Sequence, residues 1–394
     1  MAERHNRRRR PKGASLRGRR FEVLVGPVAH GGHCVARIAE LGDRVVFVRH
    51  ALPGERVVVE VTEGTEGDRF LRGDAVDVLV RSEARVEAPC PVAGPGGCGG
   101  CDFQHVALPE QRALKTAVVL EQLHRIGRLP SDHPALAGFE VVAVPGDRDG
   151  LRWRSRSTFV TDSEGRRGMR RHRSHEVVPV EDCLIAAPHA RQPGEGGPEV
   201  VTERVVGAGS VRTFQVASDG FWQVHPGAPA VLVDTVLELL APRAGEQVLD
   251  LYAGVGLFSA FLADAVGADG AVLAVEGGRS AVEHARANLA DLPWAVAEAG
   301  DVAQVLAQRE AAADVVVLDP PRAGAKREVI EQVLRRRPRA VALVACDPAA
   351  LARDVGIFRE SGWELSALRG FDLFPMTHHV ECVALLTKAG PGPR

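Results

Sequence analysis

The sequence predicts an α/β protein: a doubly wound parallel sheet in the C-terminal half, preceded by a small β-barrel and a central β-rich segment. Three observations carry this. From about residue 220, apolar strand-like runs alternate with amphipathic helix-like stretches, the pattern of strands covered on both faces. Residues 21–82 hold several short β-branched runs broken by Gly and Pro pairs, as in small barrels. Between them lies a loop with Cys90, Cys98 and Cys101, followed at a distance by Cys183.

The chain has 394 residues, too long for one ordinary core. It divides into a charged tail without apolar period (1–20), expected to be disordered, a barrel (21–82), a central segment (83–218) and an α/β domain (219–394). No apolar run is long enough to span a bilayer, and no hydrophobic segment follows the Arg-rich start, which argues against export. Seven cysteines without an export signal suit a reducing cytoplasm, where clustered Cys means metal binding or catalysis. The net charge of −2 says little about partners; its distribution says more. Arg7 to Arg10, Lys12, Arg17, Arg19 and Arg20 form one basic block. Arg152, Arg154, Arg156, Arg166, Arg167, Arg170, Arg171 and Arg173 form another. Both suit phosphate binding, against the alternative of a solubilising tail and an exposed charged hairpin.

Within the barrel, residues 21–25, 44–48 and 56–61 read as strands, punctuated by Gly31-Gly32 and Pro53-Gly54. Residues 111–126 carry Leu114, Val118, Val119 and Leu123 near a 3.6-residue period and read as a helix. Residues 139–185 read as antiparallel strands turning at Ser163-Glu164-Gly165, and 192–198 as a loop. Leu232, Val236, Leu239 and Leu240 mark the next helix. Strands follow at 247–252, 271–276, 314–319 and 340–345, each leading into a helix.

In open α/β sheets, ligands bind beyond the carboxyl ends of strands, where strand order reverses. The polar residues fall at those ends. After the first strand comes Asp250-Leu251-Tyr252-Ala253-Gly254-Val255-Gly256, after the second Glu276, and after a later one Asp319-Pro320-Pro321-Arg322. Ser259 stands where a third glycine of a dinucleotide fingerprint would be, which disfavours a nicotinamide cofactor. The pattern resembles S-adenosylmethionine-dependent methyltransferases of the Rossmann-like class; any nucleotide-binding α/β domain is the alternative.

Cys346 ends the strand at 340–345. Asp347 is placed to cap the following helix and Pro348 to open it. A thiol at a helix N-terminus gains thiolate character, while the Asp347 carboxylate opposes it. A buried structural Cys is the equal alternative. Glu381 enters an apolar strand; the residues alone favour an ordinary exposed Glu over a base. Cys382 and Cys34 read as core.

Taken together these residues resemble the RNA (uracil-5-)methyltransferase family over nearly the whole chain. Gly31-Gly32, Phe47-Val48 and Leu52 to Val57 look like its TRAM domain, an OB-like RNA-binding barrel. Cys90, Cys98-Gly99-Gly100-Cys101 with Gln104-His105, and remote Cys183, look like its iron–sulfur motif. Phe221-Trp222-Gln223-Val224, Asp319 to Gly324, Cys346-Asp347-Pro348 and His379-Val380-Glu381 resemble its donor, acceptor and closing signatures. The resemblance implies a Rossmann-like methyltransferase domain, S-adenosyl-L-methionine as cofactor and a [4Fe-4S] cluster on Cys90, Cys98, Cys101 and Cys183, with zinc as the chemical runner-up. It implies Cys346 as nucleophile toward uracil C6 and Glu381 as base. Gln223, Tyr252, Glu276 and Asp301 are assigned to the methyl donor. Asp319 is counted with the cofactor-binding residues and is also placed to hold the edge of the base, and Arg322 to order the acceptor loop.

The expected activity is formation of 5-methyluridine in RNA by a cytoplasmic monomer, without membrane partners. The barrel-plus-cluster layout leans toward 23S ribosomal RNA. A tRNA target, and methylation of another base or atom, are the alternatives, together with an inactive cluster-bearing RNA-binding protein. Two positions depart from the family pattern: Asp347, where Asn is usual, and Leu257, where many relatives carry a polar donor-binding residue.

Overall fold

Short β-branched runs cannot bury themselves singly, and the N-terminal ones solve this by closing on each other. In the computed structural model, which describes residues 13–192, 199–309 and 312–390, the first five strands are β1 (Arg20–Ala29), β2 (His33–Ile38), β3 (Arg44–Arg49), β4 (Arg56–Glu63) and β5 (Phe70–Val80). They form a closed barrel in the order β1-β2-β3-β5-β4. Alternate residues such as Val23, Val25, Val46, Val48, Val57 and Val59 point inward and are buried. Cys34 is core, as read from the sequence, and its thiol donates to the Ala51 carbonyl. Most of the basic N-terminal block lies outside the described residues, as does the expected loop after Gln192.

The barrel core does not end at the barrel. Phe103 and Val106 of the Cys-rich loop, with Leu114 and Val118 of α1 (Leu108–Arg125), pack into it. The other side of α1 carries Val119 and Leu123 into the C-terminal domain. Lys115 is buried on the same helix; its ammonium donates to Asp372 Oδ1 at 2.5 Å and to the Phe374 carbonyl at 3.1 Å. An unpaired buried cation would be costly, so this pair fixes where α1 meets the C-terminal half.

The central strands are shorter and less regular than expected. They are β6 (Val141–Ala143), β7 (Arg154–Arg156), β8 (Val160–Thr161), β9 (Arg167–Arg170), β10 (Val177–Pro179) and β11 (Ala186–Arg191). Only β8, β9 and β10 form an antiparallel sheet; β7 and β11 are parallel. Next comes a hairpin that the sequence reading missed, β12 (Val200–Gly207) with β13 (Ser210–Ala217). It packs Val205, Phe214 and Val216 under the C-terminal domain.

The C-terminal sheet is built from β14 (Gln247–Leu251), β15 (Ala271–Glu276), β16 (Ala295–Ala299), β17 (Val315–Leu318), β18 (Ala340–Ala345), β19 (Trp363–Asp372) and β20 (Glu381–Lys388). Its order is β16-β15-β14-β17-β18-β20-β19-β6. The expectation of a purely parallel sheet is corrected here. β20 runs antiparallel to both β18 and β19, and β6 from the central segment closes the edge. A short return connection permits only an antiparallel neighbour, and β19 leads directly back into β20.

The helices are α2 (Ala228–Leu240), α3 (Leu257–Val266), α4 (Arg279–Asn288), α5 (Val302–Gln308), α6 (Lys326–Arg335) and α7 (Pro348–Glu360). The first three cover one face, while α5, α6, α7 and α1 cover the other. This explains the unbroken apolar runs. Val315 and Val317 feed one core, Val316 and Leu318 the other, because successive strand residues face opposite sides. Strand order reverses at β14, flanked by β15 and β17.

Candidate active site

The crevice beyond the carboxyl ends of β14, β15, β17 and β18 is a cavity of about 1020 Å³. It is lined by Gln223, Tyr252, Glu276, Asp301, Asp319, Cys346 and Glu381, every candidate donor-site and catalytic residue. Those residues are spread over 159 positions of sequence, from 223 to 381, and are gathered by strand ends.

The donor end begins where β14 stops. Tyr252 takes φ +66°, a left-handed conformation that costs a non-glycine residue free energy. The sharp turn lets the amides of both Tyr252 and Ala253 donate to the Val275 carbonyl, at 2.9 and 3.1 Å. Gly256 precedes α3 at φ +87°, where a Cβ would be strained. Glu276, at the end of β15, accepts from the Gly254 amide at 3.1 Å and the Gly278 amide at 2.6 Å. Asp301 caps α5 by accepting from the Gln304 amide. Leu257, Val255 and Phe258 supply an apolar wall. A large apolar pocket with a few convergent polar groups is what a small-molecule site requires.

At the acceptor end, half-buried Asp319 is pushed up to about 7 by burial and then by the charges of Asp250 and Glu276. Glu381 is only 4% exposed, not the ordinary surface Glu that its residues alone suggested. Burial, then Asp319, raises it well above the carboxylate range, with Arg322 opposing. Asp354, on α7, accepts from the amides of Ala325 and Lys326 and fixes the loop carrying Arg322. Arg322 Nη2 lies 3.3 Å from His379 Nε2. Burial first, then His378 and Arg322, lowers His379 to about 3, so its ring is neutral.

Cys346 is half-buried and sits between the large cavity and a smaller one of about 240 Å³ on the barrel side. Asp347 caps α7, accepting from the Ala350 amide at 2.8 Å, and Pro348 opens the helix, as the sequence reading has it. The expected thiolate is not what this environment favours. Burial, followed by Glu381, pushes the thiol up to about 12, with Asp319 and Asp347 adding and only Arg322 opposing. The helix-end argument omitted the carboxylates that tertiary packing brings near.

The cysteine-rich loop is tied to the segment before Glu381. The amides of Asp102 and Phe103 donate to the Met376 carbonyl, each at 3.0 Å. His378 Nδ1 lies 2.5 Å from Asp102 Oδ2. Cys101 and Cys183 pack in one apolar cluster with Trp153, Ile185 and Met376. Burial raises the Cys98 thiol, with Cys183 and Cys90 adding to the rise; burial likewise lifts Cys101 to about 12, with Cys183, Cys98 and Cys90 contributing. Gln104 links two of these segments, accepting from the Cys90 amide at 3.2 Å while its own amide is directed at Cys101. N–H groups are directed at sulfur, from Gly100 to Cys98 at 3.4 Å and from Gln104 to Cys101 at 3.5 Å. Yet among the described residues no group of three or more His, Cys, Asp or Glu side chains is arranged to hold a metal ion.

Several arginines of the central block already have acidic partners: Arg152 with Asp182, Arg166 with Asp162, Arg171 with Glu176 and Arg173 with Glu63. Arg154 instead lines the large cavity. The sequence reading missed Trp153, Thr377 and Phe374 on that lining, which Phe221, 69% exposed, also joins. Phe221 was visible only as part of a motif. Trp153 carried no local signal.

Three comparisons bear on this site. The model for the TRAM domain matches residues 14–76, that for the methyltransferase small domain 229–341, and that for tRNA (uracil-5-)-methyltransferase 304–389. An uncharacterized RNA methyltransferase of Streptomyces avermitilis is 46% identical over 95% of this chain and 100% of its own length. Another, from Streptomyces coelicolor, is 46% identical over 96% of this chain and 95% of its own length. Among solved structures, the Pyrococcus abyssi tRNA (uracil-54, C5)-methyltransferase in complex with S-adenosyl-L-homocysteine has a TM-score of 0.66 and 21% identity, covering 92% of this chain and 99% of that one. No helix among the described residues is long and apolar enough to cross a membrane.

Proposed function

Since the chain belongs to the RNA (uracil-5-)methyltransferase family, we propose that it transfers a methyl group from S-adenosylmethionine to C5 of a uridine in RNA, forming 5-methyluridine. The observation that carries the reading is one cavity lined at once by a thiol, a buried carboxyl and a glycine turn facing Glu276. When bound, the donor supplies an electrophilic methyl group and a positive sulfonium charge.

The chain's own residues supply the rest. Uracil C5 is too weakly nucleophilic to take a methyl group unaided. Cys346 passes its proton to water and adds as thiolate to C6; as the sulfur–C6 bond forms, the C5–C6 π pair shifts onto C5 and the O4 carbonyl, and this enolate makes C5 nucleophilic. Any positive charge brought into the cavity favours the thiolate. After methyl transfer, Glu381 removes the proton from C5; its raised affinity for protons makes it a stronger base than an exposed Glu. The C6–sulfur bond then breaks and Cys346 is regenerated. Gln223, Tyr252, Glu276 and Asp301 hold the donor, and Asp319 accepts from the edge of the base. The target uridine must leave its stack to enter the crevice, and Phe221 at the rim offers an aromatic face.

We read Cys90, Cys98, Cys101 and Cys183 as ligands of a [4Fe-4S] cluster, supported by their shared neighbourhood and by N–H groups directed at sulfur. Its contribution would be structural, pinning the Cys-rich loop and, through Asp102, the segment that leads to Glu381. The inference from layout to ribosomal RNA loses its force. A tRNA enzyme shares the fold over 92% of this chain, so layout does not separate the two RNA classes.

The test is methylation of ribosomal and transfer RNA fractions by purified protein, read as 5-methyluridine by mass spectrometry. Cys346→Ala abolishes the product while RNA binding persists. Full activity of that variant would rule out covalent addition.

A further inference from the structure

The barrel reaches the nucleophile. Between β1 and β2 lies the turn His30-Gly31-Gly32, and it packs on two catalytic segments at once. His30 Nε2 is 2.9 Å from Asp347 Oδ2, across 317 residues of sequence. The other Asp347 oxygen caps α7. Gly32, at φ +75°, lies so close to His378 that a Cβ there would stand 2.6 Å from the His378 Cβ. His30, Gly31, Gly32, Cys346 and Asp347 line the same small cavity. Asp347 is one residue from the nucleophile, and its charge opposes ionisation of that sulfur.

We propose that His30 is a positioning residue for Cys346: as an imidazolium held by Asp347, it cancels the carboxylate's charge beside the sulfur, so that a docked barrel makes the thiol more reactive. The proposal rests on the covalent-addition reading above. It explains how Asp is compatible with a nucleophile at its side. The groups acting on His30 are Asp347 and Arg353 on the α7 side and Glu121 on α1, and Lys115 of α1, Arg322, His378 and His379 line the same cavity. The Asp347 hydrogen bond raises His30 above 6.5, against burial and Arg353, with Glu121 assisting. Burial opposes ionisation of Asp347, but the His30 and Ala350 bonds outweigh it and hold the carboxyl low. The groups facing Cys346 are Glu381, Arg322, Asp319 and Asp347. As pH rises through the raised His30 value, the imidazolium is lost and the Asp347 charge is uncovered.

The test is the pH dependence of Cys346 alkylation by iodoacetamide, read by mass spectrometry on the Cys346 peptide of the full-length protein. His30→Gln, Asp347→Asn and the double variant are compared with the parent. His30→Gln is expected to slow alkylation about 3- to 10-fold near pH 6, where the parent carries the imidazolium, and to leave the rate unchanged at high pH, where the parent has lost it too. In the Asp347→Asn background the same change has no effect. An unaltered profile in His30→Gln overturns the proposal, and so does an equal slowing in both backgrounds, which marks a merely structural contact. Alkylation requires no methyl transfer. If Cys346→Ala still methylates RNA while the His30 effect holds, the covalent reading fails and the charge coupling stands.

Discussion

Asp319→Asn separates the strain stored at the acceptor end from the work that end performs. The Asp319 carboxyl is raised from 3.8 to about 7. At about 1.36 kcal/mol per unit, a rise of roughly three units corresponds to about 4 kcal/mol. Asp319 borders a cavity open to water, and its neighbours Asp250 and Glu276 readjust, so about 1–3 kcal/mol is the expected share. Below pH 3.8 the group is protonated in both native and unfolded chains and contributes nothing. Between 3.8 and about 7 the native state keeps a proton that the unfolded chain has lost, so stability falls as pH rises. Above about 7 the whole penalty is present. The amide variant carries no such penalty. It should melt at the parent's temperature near pH 4 and about 2–6 °C higher at pH 8, measured by calorimetry in matched salt. Methyl transfer should fall about 10- to 100-fold, the loss of a charge-assisted hydrogen bond to substrate. A melting gap that is absent at pH 8, or equally large at pH 4, would refute the reasoning.

Two further predictions concern the other groups. Glu381→Gln should slow turnover about 10²- to 10⁴-fold, while a methylated RNA–protein adduct accumulates and survives denaturing electrophoresis. Because Glu381 is raised well above 4.5, parent turnover should climb with pH through that raised value, and a variant that releases RNA at the parent rate excludes Glu381 as the base. Anaerobic reconstitution with iron and sulfide should load about four irons per chain. Cys101→Ser should lose most of them, and equal iron in the variant would count against the cluster.

Much of the fold was legible because strands and helices leave local periodicities. The alternation after residue 220 exposed the sheet, and the Asp347-Pro348 pair marked the start of α7 before any contact was known. Short segments without period were not legible. β6 has three residues and joins the catalytic sheet from the central segment, and the β12–β13 hairpin gave no local cue strong enough to read. The site residues were legible as types at strand ends, but not their state. Glu381 reads as exposed in its own segment and is buried by distant ones, and the same neighbours push the Cys346 thiol up.

By itself the sequence determined the strand–helix alternation after residue 220, the placement of Cys346 at a strand end and the cysteines of the loop. These depend on residues a few positions apart. Tertiary structure alone decided the antiparallel return of β20, the raised proton affinity of Asp319 and Glu381 near Cys346, and the contact of His30 with Asp347. Burial and charge are set by whatever packs nearby, and no local pattern marks those partners, whether they lie at other strand ends of the same sheet, as Glu381 and Asp319 do for Cys346, or 317 residues away, as His30 does for Asp347.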